Sequence, residues 1–130
     1  MNNPFMVYRK KILAVKKETE LETTFRIESL GHPKSGQFYQ VSVPKAGEAP
    51  ISVSDFGEGW IDMTIRSVGS LTDSICNLQQ GDSIFLRGPY GRGFNLEALA
   101  GKHLIIVTGG TGLAPVKSII NYFHGNMSKL

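Results

Sequence analysis

The sequence predicts a mainly β chain: a six-stranded antiparallel barrel with one capping helix, followed by the first strand and helix of an incomplete α/β domain. Strand-like segments follow one another closely up to residue 87, and only one clear helical pattern interrupts them. After residue 100 an apolar, β-branched run leads into a cluster of glycines. The 130 residues are 41% hydrophobic and 19% charged, which is typical of a globular chain. We therefore divide the chain into a barrel domain, residues 1–100, and the start of a second domain, residues 101–130.

Six segments have the composition and the partial alternation of β-strands. They cover residues 5–15, 22–27, 37–43, 50–55, 60–68 and 83–87. Turn-rich sequences separate them, among them GHPKSG at 31–36 and FGEG at 56–59, which predicts a hairpin. Short strands at this density favour a small antiparallel barrel.

The capping helix is predicted over residues 70–78, because Leu71, Ile75 and Leu78 recur on one helical face. Ser70 followed by Asp73 resembles a capping box at its start. A single helical turn is expected at residues 96–99.

The sequence LIIVTGGTGLAP, residues 104–115, predicts a strand, a tight turn and a helix N-terminus. Gly109, Gly110 and Gly112 flank Thr111 and let backbone N–H groups approach a pyrophosphate, which the helix dipole also favours. Pro115 suits a first helical turn. A turn of this kind also arises for purely steric reasons, so both interpretations stay open. Because a Rossmann-like domain needs several βα units, this turn begins such a domain without completing it.

The same segment predicts an uncovered apolar surface. Its strand lacks parallel neighbours, and its helix has an apolar face with no sheet to cover it. This surface is formed by residues 105–107, Val116, Ile119, Ile120 and Phe123. We expect such a patch to cause self-association through residues 104–123.

Composition excludes several classes of function. The net charge is only +3 and the basic residues are dispersed, so nucleic acid is not an expected partner. The single cysteine, Cys76, excludes a disulfide framework and any four-cysteine metal site within this chain, and is expected to be a small buried apolar residue. The N-terminus lacks the apolar core of a signal peptide, and no run is long enough to cross a membrane, which predicts a cytoplasmic protein with no membrane partner.

Three segments could line one site: APIS at 49–52, IRSVGSLT at 65–72, and the glycine turn at 109–112. Each places small or hydroxyl-bearing residues at a strand end or a helix start. In order and spacing they resemble the ferredoxin-NADP reductase superfamily, in which a flavin-binding antiparallel barrel precedes a nicotinamide-dinucleotide domain.

Within that superfamily the chain is similar to the N-terminal portion of the B subunits of anaerobic sulfite reductases. The likeness runs through residues 36–72, the sequence GDSIFLRGPYGRGF at 81–94 and GGTGLAPVK at 109–117. It implies an electron-transfer subunit that passes electrons from NAD(P)H through FAD, and then through an iron–sulfur cluster, to sulfite-reducing partner subunits. The family's cluster cysteines are absent from this chain, which is expected to be inactive alone. No catalytic side chain is expected, because the flavin carries the chemistry.

The resemblance also implies roles for individual residues. Ser52, in the segment that begins with Ala49, Pro50 and Ile51, matches a serine that hydrogen-bonds the flavin ring. Ile65, Arg66 and Ser67 match the strand along the ring and ribityl chain, and Leu71 and Thr72 match residues at the pyrophosphate. Tyr90 is equally consistent with a contact to adenine and with surface packing.

Two positions depart from the family motif Arg-x-Tyr-Ser: Ala49 replaces the arginine and Ile51 replaces the tyrosine. A charged group for the pyrophosphate must then come from elsewhere, and Arg66 and Arg87 are the candidates. Ile51 leaves an aliphatic contact to the flavin ring and favours the branch that shares a Pro-Ile-Ser sequence.

Two alternatives stay open. The chain could be an electron-transfer subunit of a dihydroorotate dehydrogenase or a sulfur-reducing hydrogenase, which are similar at greater distance. It could also be a non-catalytic barrel module that binds a partner protein.

Overall fold

The computed structural model describes residues 6–124, which form a seven-stranded antiparallel sheet and three α-helices. The strands are β1 (Tyr8–Lys17), β2 (Glu22–Glu28), β3 (Phe38–Val43), β4 (Gly47–Ser52), β5 (Asp55–Gly57), β6 (Trp60–Arg66) and β7 (Ser83–Tyr90). Their order in the sheet is β4-β3-β7-β1-β2-β6-β5. The helices are α1 (Ser70–Cys76), α2 (Leu96–Leu99) and α3 (Ala114–His124).

The sheet is curled into a barrel, and β1 is its central strand. β1 pairs with β7 through its first half and with β2 through its second, on either side of a bulge near Ile12. β4 comes into contact with β6 across the barrel, and α1 packs against β3, β4 and β6. The side chains of Phe25, Tyr39, Ile61 and Leu86 are completely buried in the core. The mainly β barrel with a capping helix is thus confirmed.

The number of barrel strands differs from the prediction. The segment 50–55 is not one strand, because the chain changes its pairing partner between Val53 and Ser54. The Val53 N–H donates to the Gln37 carbonyl at 3.0 Å, on β3's side, whereas the Ser54 N–H donates to the Asp62 carbonyl of β6 at 2.8 Å. The result is two strands, β4 and the short β5, and seven strands instead of six.

Helix α1 begins at Ser70 but ends at Cys76, two residues earlier than expected. The prediction of a capping box formed by Ser70 and Asp73 is wrong. The N-cap residue is Gly69, and the Thr72 hydroxyl accepts hydrogen bonds from the N–H groups of Val68 (2.8 Å) and Gly69 (3.0 Å). Asp73 instead accepts a hydrogen bond from the Ser67 hydroxyl.

The predicted strand at residues 104–107 is also wrong for the described residues 6–124. This segment forms no β-ladder with any described residue. A strand needs a neighbouring strand to satisfy its backbone N–H and C=O groups, and no described strand lies beside it. Ile105 and Val107 are each 89% exposed. A short 3₁₀ helix, Gly110–Leu113, then leads into α3, whose second residue is Pro115.

Helix α3 folds back onto the barrel and contacts β5. Ile119 and Phe123 are 5% and 6% exposed, respectively, whereas Ile120 is 42% exposed. The expectation that the whole apolar face of this helix lies uncovered is therefore wrong, because the outer surface of the barrel covers the part formed by Ile119 and Phe123. None of the helices in residues 6–124 combines the length and the apolarity required to cross a membrane.

Candidate functional site

A groove of about 410 Å³ lies where β4 and β6 meet, between the start of α1 and the start of α3. We call it the β4–β6 groove. It is lined by Ala49, Pro50, Ile51, Ser52, Thr64, Ile65, Arg66, Val68, Thr72, Thr111, Gly112, Ala114 and Pro115. The structure therefore brings together most of the residues that the sequence suggested, from three segments distant in the chain.

The change of partner after β4 creates this groove. β4 pairs with β3 as far as the Phe38–Ser52 pair, and the chain then crosses to β6 at Ser54. This crossing leaves the residues of β4 beside the last residues of β6 without a continuous ladder between them. Space for a ligand remains at that gap.

The groove combines apolar walls with few polar groups. Pro50, Ile51 and Val68 supply apolar surface, and Val68 is 73% exposed. Within residues 6–124, neither the Ser52 hydroxyl nor the Arg66 guanidinium has a hydrogen-bond or ion-pair partner. One apolar surface with a hydroxyl and a cation at its side suits a ligand that has a flat apolar part and an anionic part.

At the start of α1, the side chains of Leu71 and Thr72 already have contacts within the protein, whereas their backbone N–H groups remain available to a ligand. The Thr72 hydroxyl is occupied by the cap, since it also donates to the Gly69 carbonyl at 3.2 Å. Leu71 packs its side chain against the barrel core. The backbone N–H groups of Leu71 and Thr72 lie in the first helical turn, where no intrahelical acceptor exists. Any contact of these two residues with an anion would thus come from the backbone.

Arg87 does not face the groove. Its guanidinium forms a two-point ion pair with Glu48, with Nη2–Oε1 at 2.6 Å and Nε–Oε2 at 3.2 Å. These hydrogen bonds, which Arg87 donates and Glu48 accepts, lower the pKa of the Glu48 carboxyl and raise the pKa of the Arg87 guanidinium. Arg87 also donates to the Tyr90 hydroxyl at 3.1 Å, and the Tyr90 ring lies 5.7 Å from that of Phe38. Of the two candidate arginines, only Arg66 lines the groove.

The remaining predicted residues lie elsewhere. Ser67 lines a separate cavity with Asp73 and Cys76, because side chains alternate along β6 and its continuation. Gly109 is exposed just before the 3₁₀ helix, and Gly110 lines a smaller groove of about 240 Å³ with Lys16 and Lys117. Of the turn glycines, only Gly110 has a positive φ, +57°, that favours glycine.

Sequence reasoning missed three groove residues, Thr64, Ala114 and Pro115, and gave Val68 no role of its own within the segment 65–72. Thr64 was detectable, since it alternates with buried Met63 and Ile65 and so faces outward from the barrel. Nothing local indicates that Ala114 and Pro115 approach β6, because the fold-back of α3 decides their position.

Within residues 6–124, no three His, Cys, Asp or Glu side chains are grouped so that they could hold a metal ion. Cys76 is half-buried, and burial raises the pKa of its thiol, so the reactive thiolate is disfavoured.

No protein-family model matches the chain. It is 36% identical to the sulfhydrogenase 1 subunit gamma of Pyrococcus furiosus, in a match that covers 98% of this chain and 47% of the relative. It is 37% identical to a probable dihydroorotate dehydrogenase B (NAD(+)), electron transfer subunit, of Methanothermobacter thermautotrophicus, over 92% of this chain and 44% of the relative. The chain thus spans about half the length of the curated relatives it matches.

Among solved structures, the chain resembles a ferredoxin NADP+ reductase from Neisseria gonorrhoeae with bound FAD and NADP. The TM-score is 0.73 at 27% identity, and the match covers 88% of this chain and 50% of the reductase. The chain is therefore a homologue of sulfhydrogenase gamma subunits and of dihydroorotate dehydrogenase electron transfer subunits, and it has the antiparallel barrel fold of the ferredoxin-NADP reductases.

Proposed function

We propose that this chain is the flavin-binding part of an electron-transfer subunit of an oxidoreductase, and that the β4–β6 groove binds FAD. The observation that carries the proposal is the groove itself, where β4, β6, the start of α1 and the turn before α3 converge. A ferredoxin-NADP reductase of the same fold contains FAD, which supports the choice of ligand.

The residues present fit this cofactor. Pro50 and Ile51 offer an apolar surface for a flavin ring, and the Ser52 hydroxyl is available to hydrogen-bond its polar edge. Arg66 is the groove's cation and would hold the diphosphate, together with the first N–H groups of α1. When bound, FAD supplies the capacity to accept a hydride from a nicotinamide dinucleotide and to pass electrons on. The protein's part is to position the cofactor and to restrict water.

The electron donor and the acceptor are further parts of the proposal. NAD(P)H is the donor, and residues 101–130 begin the domain that would bind it, with Gly109, Gly110, Thr111 and Gly112 in its first turn. A relative named for NAD(+) and a similar structure with bound NADP support this choice. The iron–sulfur cluster that the resemblance implies would be held outside this chain, whose only cysteine is Cys76.

The acceptor is a partner subunit of a multi-subunit redox enzyme. The named relatives support a hydrogenase or a dihydroorotate dehydrogenase as that enzyme better than the sulfite reductase implied by the sequence resemblance. A sulfite-reducing partner is retained as the finer proposal, on the likeness of residues 36–72, 81–94 and 109–117.

Titration of the flavin-free chain with FAD and with FMN tests the proposal. We expect FAD to bind more tightly, because only FAD carries the diphosphate that Arg66 and the start of α1 would hold. Calorimetry or the quenching of flavin fluorescence measures both dissociation constants. Equal affinity for the two flavins contradicts the diphosphate assignment, and no binding of either at millimolar concentration favours the non-catalytic barrel module.

A further inference from the structure

Two polar contacts join α3 to the barrel at a distance from the β4–β6 groove. The Ser118 and Ser35 hydroxyl oxygens lie 2.8 Å apart, and both residues are buried, at 4% and 2% exposure. The Asn121 side-chain amide donates to the Asp55 carboxylate at 2.8 Å. We call these two contacts the α3 contact pair.

One wall of the β4–β6 groove depends on the position of α3 against the barrel. Thr111 and Gly112, and then Ala114 and Pro115 of α3, form one wall of the groove. The segment before them is not held by any strand pairing, and its Ile105 and Val107 side chains are 89% exposed. Whatever fixes α3 therefore also fixes this wall.

Helix α3 is able to transmit that constraint. Asn121 lies six residues after Pro115, a distance of about 9 Å along a continuous helix. An isolated helix of 11 residues is marginal in water, so α3 owes its persistence to packing on the barrel. Buried Ile119 and Phe123 supply apolar contact, but apolar contact is not directional, whereas the two hydrogen bonds specify one position.

We propose that Asn121 and Asp55, together with the buried Ser118–Ser35 contact, are positioning residues that set the groove wall at Thr111–Gly112 and so control ligand affinity. The part that concerns FAD affinity rests on the proposed function. The part that concerns the position of the wall does not, because it can be measured without ligand.

The Asn121–Asp55 contact pairs a neutral amide with a carboxylate, so the two side chains can be exchanged between the two positions. Asn121→Asp places two carboxylates together and replaces the hydrogen bond with repulsion. Asp55→Asn in the same chain restores one amide and one carboxylate, in reversed order. The Asp55 carboxylate also accepts the Phe56 N–H at 2.9 Å, a role that an asparagine oxygen can keep. Ile120→Gln is the matched control, since Ile120 is on the exposed side of the same helix.

Amide hydrogen exchange of the flavin-free chain is the first measurement. We expect faster exchange across residues 110–124 in Asn121→Asp, wild-type exchange in the Asp55→Asn/Asn121→Asp double variant, and no change in Ile120→Gln. FAD titration is the second. We expect weaker binding in Asn121→Asp, up to about tenfold if the wall is in place in only about a tenth of the molecules, and recovery in the double variant.

The outcomes separate the two ideas. Unchanged exchange in Asn121→Asp, or no recovery in the double variant, overturns the positioning role. FAD binding that is equal in wild type and Asn121→Asp overturns the control of affinity while the proposed function stands. If wild type binds no FAD but exchange responds and recovers, the proposed function fails and the role of the α3 contact pair in placing the wall is supported.

Discussion

Two arginines, Arg66 at the end of β6 and Arg87 within β7, have different surroundings and therefore different roles. Arg87 is committed to Glu48 in a two-point ion pair, whereas Arg66 is exposed and lines the β4–β6 groove. We predict that Arg66→Gln weakens FAD binding about tenfold or more, because a hydrogen bond from a charged group contributes roughly 1.5–3 kcal/mol. The dissociation constant from calorimetry checks this value.

Arg87→Gln is the matched control for this prediction, and it leaves FAD affinity unchanged because Arg87 does not reach the groove. Ala49→Arg restores the family's arginine on the opposite wall, so in the Arg66→Gln background it recovers affinity. An equal loss of FAD affinity in the two arginine variants would show that affinity depends on the overall charge of the chain and not on a local contact with Arg66.

At the scale of elements, helix α1 depends on a threonine at its third position. The Thr72 hydroxyl binds the N–H groups of Val68 and Gly69, which otherwise have no partner at the helix start. We predict that Thr72→Val destabilises the flavin-free chain by about 1 kcal/mol, the usual cost of losing such a cap. Urea unfolding followed by the fluorescence of the single tryptophan, Trp60, measures it.

Ser74→Ala is the control on the same helix. The Ser74 hydroxyl donates to the Ser70 carbonyl at 2.9 Å within the helix, a contact that contributes little to stability. The free energy of unfolding should therefore stay within about 0.5 kcal/mol of wild type. A similar loss in the two variants would mean that the cap has no special role.

At the scale of the whole molecule, the unpaired segment 104–107 is the feature most exposed to association. Ile105 and Val107 present β-branched side chains to solvent, and the backbone around them has no ladder in residues 6–124. We predict that the chain self-associates through this segment, because an exposed apolar segment whose backbone groups are unpaired can pair with another chain as an edge strand does. Light scattering should show an oligomer that the double variant Ile105→Lys/Val107→Lys converts to a monomer.

Val68→Lys is the comparison variant, since Val68 is 73% exposed but lies at the groove. It should leave the oligomer intact. A wild-type chain that stays monomeric at all concentrations would contradict the prediction and assign the exposed segment no role in assembly.

The sequence by itself determined most of the barrel strands and which of their side chains are buried. Alternation along residues 60–66 places Ile61, Met63 and Ile65 inside the barrel, and all three are buried, because side chains of a strand point to opposite faces in turn. The pattern fails at Asp62, which is only 6% exposed. Its carboxylate is held by Arg26 at 2.8 Å and 3.0 Å, from a strand 36 residues away in sequence.

The tertiary structure alone decided which groups meet. Ser35 contacts Ser118 and Glu48 binds Arg87, pairs separated by 83 and 39 residues. The periodicity of the sequence predicts which face of its own strand or helix a side chain occupies. It does not predict which residue of another element that side chain contacts. The change of partner at Val53, the cap at Thr72 and the fold-back of α3 follow from hydrogen-bond satisfaction and burial, which depend on the complete set of neighbours.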